Sequence, residues 1–193
     1  MFNWFKKSEK KERHQHPEHT SEAKPVFKPA KLPPRRSDLP TAQPAAIEFK
    51  HEEFVFTLGG DWVRVSSSDA NQFCFESKGY KTSVVLSYMS LNITQDKILG
   101  AAERYALFRQ EAEKAARHGE PIQFGDKWVE LRDTKDVAEV AYAGYDSKMI
   151  FRFFGFVTQR KVLSLWVATE TRDNDLSKRV FDEVFRGLKF YVP

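Results

Sequence analysis

The chain has 193 residues, 41% of them hydrophobic and 14% aromatic, which suits one ordinary domain plus a tail and excludes two independent cores. Its formal net charge of +4 is unevenly placed: residues 1–46 hold ten Lys and Arg against five Asp and Glu, leaving 21 against 22 elsewhere, so a basic binding face on the folded part is excluded. Cys74 is the single cysteine, which rules out an intrachain disulfide framework and every multi-cysteine zinc pattern, and points to a reducing compartment.

Seven of the nine prolines and none of the nine glycines fall in residues 1–46. Such a stretch buries too little apolar surface to offset its ordering entropy, so residues 1–46 read as a disordered, proline-rich basic tail and residues 47–193 as a single domain. Phe2, Trp4 and Phe5 abut Lys6 and Lys7 in the way of an interfacial anchor, too short to hold a membrane alone. Those lysines leave no signal-peptide core, and no apolar run reaches the length of a membrane span, so a cytoplasmic location is expected. His14, His16, Glu18 and His19 can collect a divalent metal adventitiously, but Pro17 and the lack of supporting structure argue against a formed site, and neither a metal nor another cofactor is expected. Lys28, Lys31, Arg35 and Arg36 are interspersed with acids as in a solvated linker, so nucleic acid is not the expected partner.

Phe54 to Leu58 has β-propensity and stops at Gly59-Gly60-Asp61, after which Trp62 to Val65 resumes an extended pattern. Phe73 and Phe75 share one face of the next strand, with Cys74 on the other as a buried, inert strand cysteine. Ser83 to Leu91 is apolar at both parities, like a central strand covered on two sides. Thr94 offers a helix N-cap, and Ala101, Tyr105, Phe108, Ala112 and Ala115 recur along one helical face expected to cover a sheet. Gly119 and Pro121 end that helix.

Four strands follow, at residues 122–131, 137–145, 149–157 and 162–169, joined by polar turns too short for parallel crossovers, hence an antiparallel meander. Asp173 to Asp175 start a second helix with Leu176, Val180 and Val184 on its stripe, and Leu188 to Tyr191 returns to the sheet as the last strand. The fold class is therefore α+β, an antiparallel β-sheet meander with two main helices packed on it.

The opening Phe56-Thr57-Leu58-Gly59-Gly60-Asp61-Trp62, the Phe75 strand, the helix after Thr94, Gly125 to Trp128 before the meander, and the closing helix running into Gly187-Leu188-Lys189-Phe190 carry a family resemblance. This pattern resembles PsbP-like and DcrB-like domains, the group that also includes Mog-type Ran-binding proteins and the Eag chaperones of type VI secretion effectors. It spans about residues 50–192, the whole globular part, in keeping with ordinary domain size. Gly59 stands where the usual proline of the opening turn would be, and the leader of periplasmic members is missing, so periplasmic function is not carried over. The resemblance implies an antiparallel sheet used as a binding scaffold, with no family catalytic residues to transfer.

The residues themselves show no Walker A loop, Gly-x-Ser-x-Gly elbow, His-Glu-x-x-His or dinucleotide-binding glycine fingerprint, and no enzymatic activity is expected. The densest aromatic cluster is Phe151 to Phe156. Phe154 and Phe156, with Trp166 on the neighbouring strand, are the candidates for an apolar groove that takes an apolar or amphipathic segment of a protein partner, and Arg152 sits among them. The leading expectation is a non-enzymatic protein-binding module of a bacterial cytoplasm, a secretion-associated chaperone or an immunity-type protein. The alternative is a membrane-peripheral or nucleic-acid-associated protein that makes contact through the basic tail and its anchor Phe2, Trp4 and Phe5.

Overall fold

The computed structural model describes residues 46–191. In chain order they form β1 (Ile47–Lys50), β2 (Phe54–Leu58), β3 (Trp62–Val65), β4 (Gln72–Ser77), β5 (Thr82–Ser90), α1 (Ile98–Ala116), β6 (Gln123–Phe124) and β7 (Trp128–Leu131). There follow β8 (Val137–Tyr145), β9 (Ile150–Thr158), β10 (Lys161–Thr169), α2 (Asn174–Arg186) and β11 (Leu188–Phe190). The α+β class expected from the sequence is the one observed, but the strands divide between two sheets. An eight-stranded sheet runs β3-β4-β5-β10-β9-β8-β6 with β7 also paired to β8, and a three-stranded sheet runs β1-β2-β11.

The last strand thus joins β2, not the large sheet: Leu188 pairs with Phe56 and Phe190 with Phe54. Gly187 makes this possible. A Cβ there would fall 2.0 Å from the Thr57 carbonyl oxygen, so only glycine lets the end of α2 come this close to β2. The Gly59-Gly60 corner carries the chain from one sheet to the other, with Gly60 at φ +94°, a conformation that disfavours any side chain. The stretch expected as one strand over 122–131 breaks at Gly125-Asp126-Lys127 into β6 and β7, both of which pair with β8.

Strand alternation gives the large sheet two faces. One carries Phe73, Phe75, Val84, Leu86, Leu165 and Val167, which pack on Phe54 and Phe56 of the small sheet and Val180 and Val184 of α2. The other carries Val140, Tyr142, Phe151, Phe153, Val157 and Val162 beneath Ile98, Ala102 and Ala106 of α1. Asp173 caps α2 by accepting the N–H groups of Asp175 (2.9 Å) and Leu176 (3.1 Å), as its sequence position suggests.

Helix α1 follows the expected stripe only in its first half, where Ala101 and Tyr105 pack against the core. Its buried residues are Ile98, Ala102, Ala106 and Glu113, while Phe108 is 64% exposed and Ala112 and Ala115 face solvent. The C-terminal half docks through charge, not through alanines. Arg109 and Arg117 both reach Glu113, and their guanidinium groups lie 5.5 Å from the Phe153 ring centroid and 4.8 Å from that of Phe151. Thr94 precedes a 3-10 turn (Gln95–Lys97) and makes no side-chain cap to it; a hydrogen bond from Thr94 instead lowers the Asp96 carboxyl below its ordinary value.

Candidate functional site

Arg152, expected near a groove, is buried at 5% exposure and fastens α2 to the sheet. Its Nη2 donates to Asn174 Oδ1 at 2.6 Å and its Nε to Ser177 Oγ at 3.3 Å. Burial pulls this guanidinium down from its ordinary value, and the Asp182 carboxylate works against that shift. The role these contacts describe is structural.

Phe154 and Phe156 share the face of Arg152, and the protein's own elements cover them. Phe185 of α2 meets Phe154 edge-on at 5.0 Å, and Phe190 of β11 meets Phe156 at 5.2 Å. Arg132 lies 4.8 Å over the Phe156 ring while its Nε donates to Glu139 at 2.6 Å, sealing the remaining side. Phe156 is 7% exposed and belongs to the interior; Phe154 is half-buried.

Trp166 does not join them. The two-residue turn Gln159-Arg160 pairs even-numbered residues of β9 with odd-numbered residues of β10, so Phe154 faces Leu165 and Phe156 faces Leu163, while Trp166 pairs with Phe153 on the opposite face. The three aromatics expected to line one groove are split by the sheet.

Trp166 marks a border on its own face. Across the large sheet, Val65, Cys74, Val85, Trp166, Phe153 and Tyr142 lie in one register row. Phe153 and Tyr142 lie under α1, which packs against β7, β8 and β9. Beyond Trp166, no helix or strand covers β3, β4 and β5 among the described residues. There Val63 is 50% and Met89 43% exposed, and Val65, Cys74 and Val85 are half-buried. Cys74 is therefore not the buried strand cysteine expected, because the face it points to is open.

The α1 flank beside this open half is set by Tyr105, whose hydroxyl donates to Ser164 Oγ at 3.2 Å; Ser164 in turn is bonded to Ser87 at 2.7 Å. Phe108, three residues after Tyr105 on the same flank, is the most exposed large apolar side chain described. Ala101 and Tyr105 of the sequence stripe thus pack against the core, as expected, while Phe108 and Ala112 beyond them are exposed and wall the open apolar strip. Between wall and core, burial pushes the Tyr142 hydroxyl above the ordinary phenol range, which keeps it neutral.

Among the described residues no group of His, Cys, Asp and Glu is placed to hold a metal, and no helix is long and apolar enough to cross a membrane. Phe2, Trp4 and Phe5, and the His14, His16 and His19 run, lie outside the described residues.

No family model and no curated protein matches the sequence. Among solved structures, cyanobacterial PsbP (CyanoP) from Synechocystis sp. PCC 6803 matches with a TM-score of 0.59 at 13% identity, covering 81% of this chain and 99% of that one. A protein from Bacteroides thetaiotaomicron VPI-5482 reaches a TM-score of 0.43 at 11% identity over 78% of this chain and 49% of its own. The first likeness shows the architecture: two antiparallel sheets with a helix on each face of the larger one form a PsbP-like fold.

Proposed function

We propose that this chain is a non-enzymatic protein-binding module that holds an amphipathic helix of a partner protein on the open half of its large sheet. The observation that supports this reading most is the uncovered strip of Val63, Val65, Cys74, Val85 and Met89, bounded by Trp166 and walled by Phe108. At about 4.8 Å between strands, β3 to β10 gives a strip about 14 Å wide. That is room for one helix of about 10–12 Å diameter laid beside α1. Apolar positions spaced at one and two turns of such a helix would run along the strands, past Val63 and Val65 of β3 and Val85 and Met89 of β5. The same face of β3, β4 and β5 carries Glu76 and no cation, so it offers nothing to phosphate groups and favours an apolar partner over nucleic acid or anionic lipid.

Sheltering an apolar segment from water until delivery is chaperone work. The finer likeness to DcrB-like domains and Eag chaperones belongs to this proposal, as does a cytoplasmic location in which Cys74 stays reduced. An amphipathic synthetic helix with leucines on one face, titrated into the amide-labelled chain, is expected to shift the signals of β3, β4, β5 and Trp166. Val85→Asp, at a half-buried position, is expected to abolish those shifts and keep the fold. Shifts confined to α2 and β11, or none at all, would refute the reading.

A further inference from the structure

A second feature lies at the connection from β3 to β4, beside Val65 at the end of the open strip. Arg64 spreads its guanidinium over two rings, 4.6 Å from the Phe49 centroid and 5.7 Å from that of Phe73. Stacking of this kind fixes the plane of the group and leaves its in-plane N–H edge available for a planar acceptor. Among the described residues no carboxylate pairs with Arg64, in contrast to Arg117 and Arg132, each of which has an acid in contact.

Beside Arg64, the connection from β3 to β4 borders an open cavity of about 460 Å³ lined by Arg64, Val65, Ser67, Asp69, Gln72 and Phe73. Asp69 is the acid in this lining, and the loop engages it. Its carboxylate accepts the Asn71 N–H at 2.8 Å and the Gln72 Nε2 at 3.0 Å. Ser67 Oγ accepts the Asp69 N–H at 3.1 Å, which leaves the hydroxyl proton of Ser67 able to donate elsewhere. The cavity therefore combines one oriented cation, a hydroxyl donor and the small apolar edge that the largely buried Phe73 leaves uncovered.

We propose that this cavity binds a small organic carboxylate, with its head on the Arg64 N–H edge and its apolar body against the uncovered edge of Phe73 and Val65. The guanidinium fork matches a carboxylate bidentately. The Asp69 charge in the same wall opposes a doubly charged phosphate more than a singly charged carboxylate, which decides between the two oxyanions.

The test is a titration of the amide-labelled full chain with benzoate, acetate and inorganic phosphate in turn. Benzoate is expected to give saturable shifts at Arg64 and at residues 66–72, with acetate weaker for want of a ring and phosphate weakest. Arg64→Ala is expected to abolish saturation, and Arg64→Lys to weaken it at least about fivefold, because lysine lacks the planar fork. Amide spectra of both variants check that the fold is kept, as the exposed position of Arg64 implies. Absence of saturation, equal binding by Arg64→Ala, or phosphate binding tighter than benzoate would each overturn the proposal.

Discussion

Asp146 holds Arg117. Its Oδ2 accepts from Arg117 Nε at 2.8 Å, fastening the last turn of α1 to the turn between β8 and β9, and the two side chains are only 5% and 10% exposed. Burial alone would raise the Asp146 carboxyl, but the N–H groups of Lys148 and Met149 together with Arg117 outweigh it and hold the group below its ordinary value. The same carboxylate with Glu113 raises Arg117, against the desolvation that would lower it.

Asp146→Asn is expected to cost about 3 kcal/mol, the low end for breaking a buried pair, since Glu113 still contacts Arg117 at 2.7 Å. The sign with pH follows from the lowered carboxyl. Its contribution is present above the ordinary carboxylate range, and is lost as pH falls through the folded value. Urea midpoints of wild type and variant should differ near neutrality and converge below about pH 4. A gap that persists in acid would exclude the ion pair as its source.

Phe156→Ala should destabilise the domain by about 3–4 kcal/mol, because Phe190, Phe154 and Arg132 enclose the ring and a cavity would remain. Denaturant melts check this. A loss under about 1 kcal/mol would mean that the ring is not enclosed.

Phe108→Ser is expected to leave stability within about 0.5 kcal/mol, since the side chain is 64% exposed, while weakening any helix laid along the open strip. Thermal melts alongside the peptide titration separate the two effects. A large drop in melting temperature would show that Phe108 packs inward.

Arg152→Ala should cost about 1–3 kcal/mol by removing the bonds to Asn174 and Ser177 and leaving the Ser177 hydroxyl buried without this partner, and should not alter helix binding on the opposite face. Hydrogen exchange in α2 should rise first. Unchanged protection there would sink the fastening role.

The class of the fold was legible because hydrophobic periodicity and turn chemistry are local. The hairpins at residues 146–149 and 159–160, the Asp173 cap and the valines of α2 follow from neighbours in sequence. What failed depends on parity or on partners far along the chain. One two-residue turn decides whether Trp166 shares a face with Phe154, and the residues alone do not say where each strand ends. Helix α1 misled beyond Tyr105 because Arg109 and Arg117 read as an outer face yet lie inward on aromatic rings with Glu113 between them, so Phe108, Ala112 and Ala115 looked like core contacts. The open half-face was hidden for a related reason: Ser83 to Leu91 is apolar at both parities, and only the position of α1 reveals that no helix among the described residues covers one side.

The small sheet brings the two ends of the domain together on one strand. Ile47 pairs with Leu58 at one end of β2, Phe190 with Phe54 at the other, and the Tyr191 N–H donates to the Glu53 carbonyl at 2.8 Å. Two strand spacings across and four residues along place Ile47 about 16 Å from Phe190. A Gly/Ser bridge of about eight residues has a matching mean span. A circular permutant joined there, with new ends in the exposed turn at Thr134 and Lys135, makes the pairing of β11 with β2 local but opens the hairpin of β7 and β8. Such a chain should fold more slowly than the native order, since β6, β7 and α1 would then have to find β8 from almost the whole chain away.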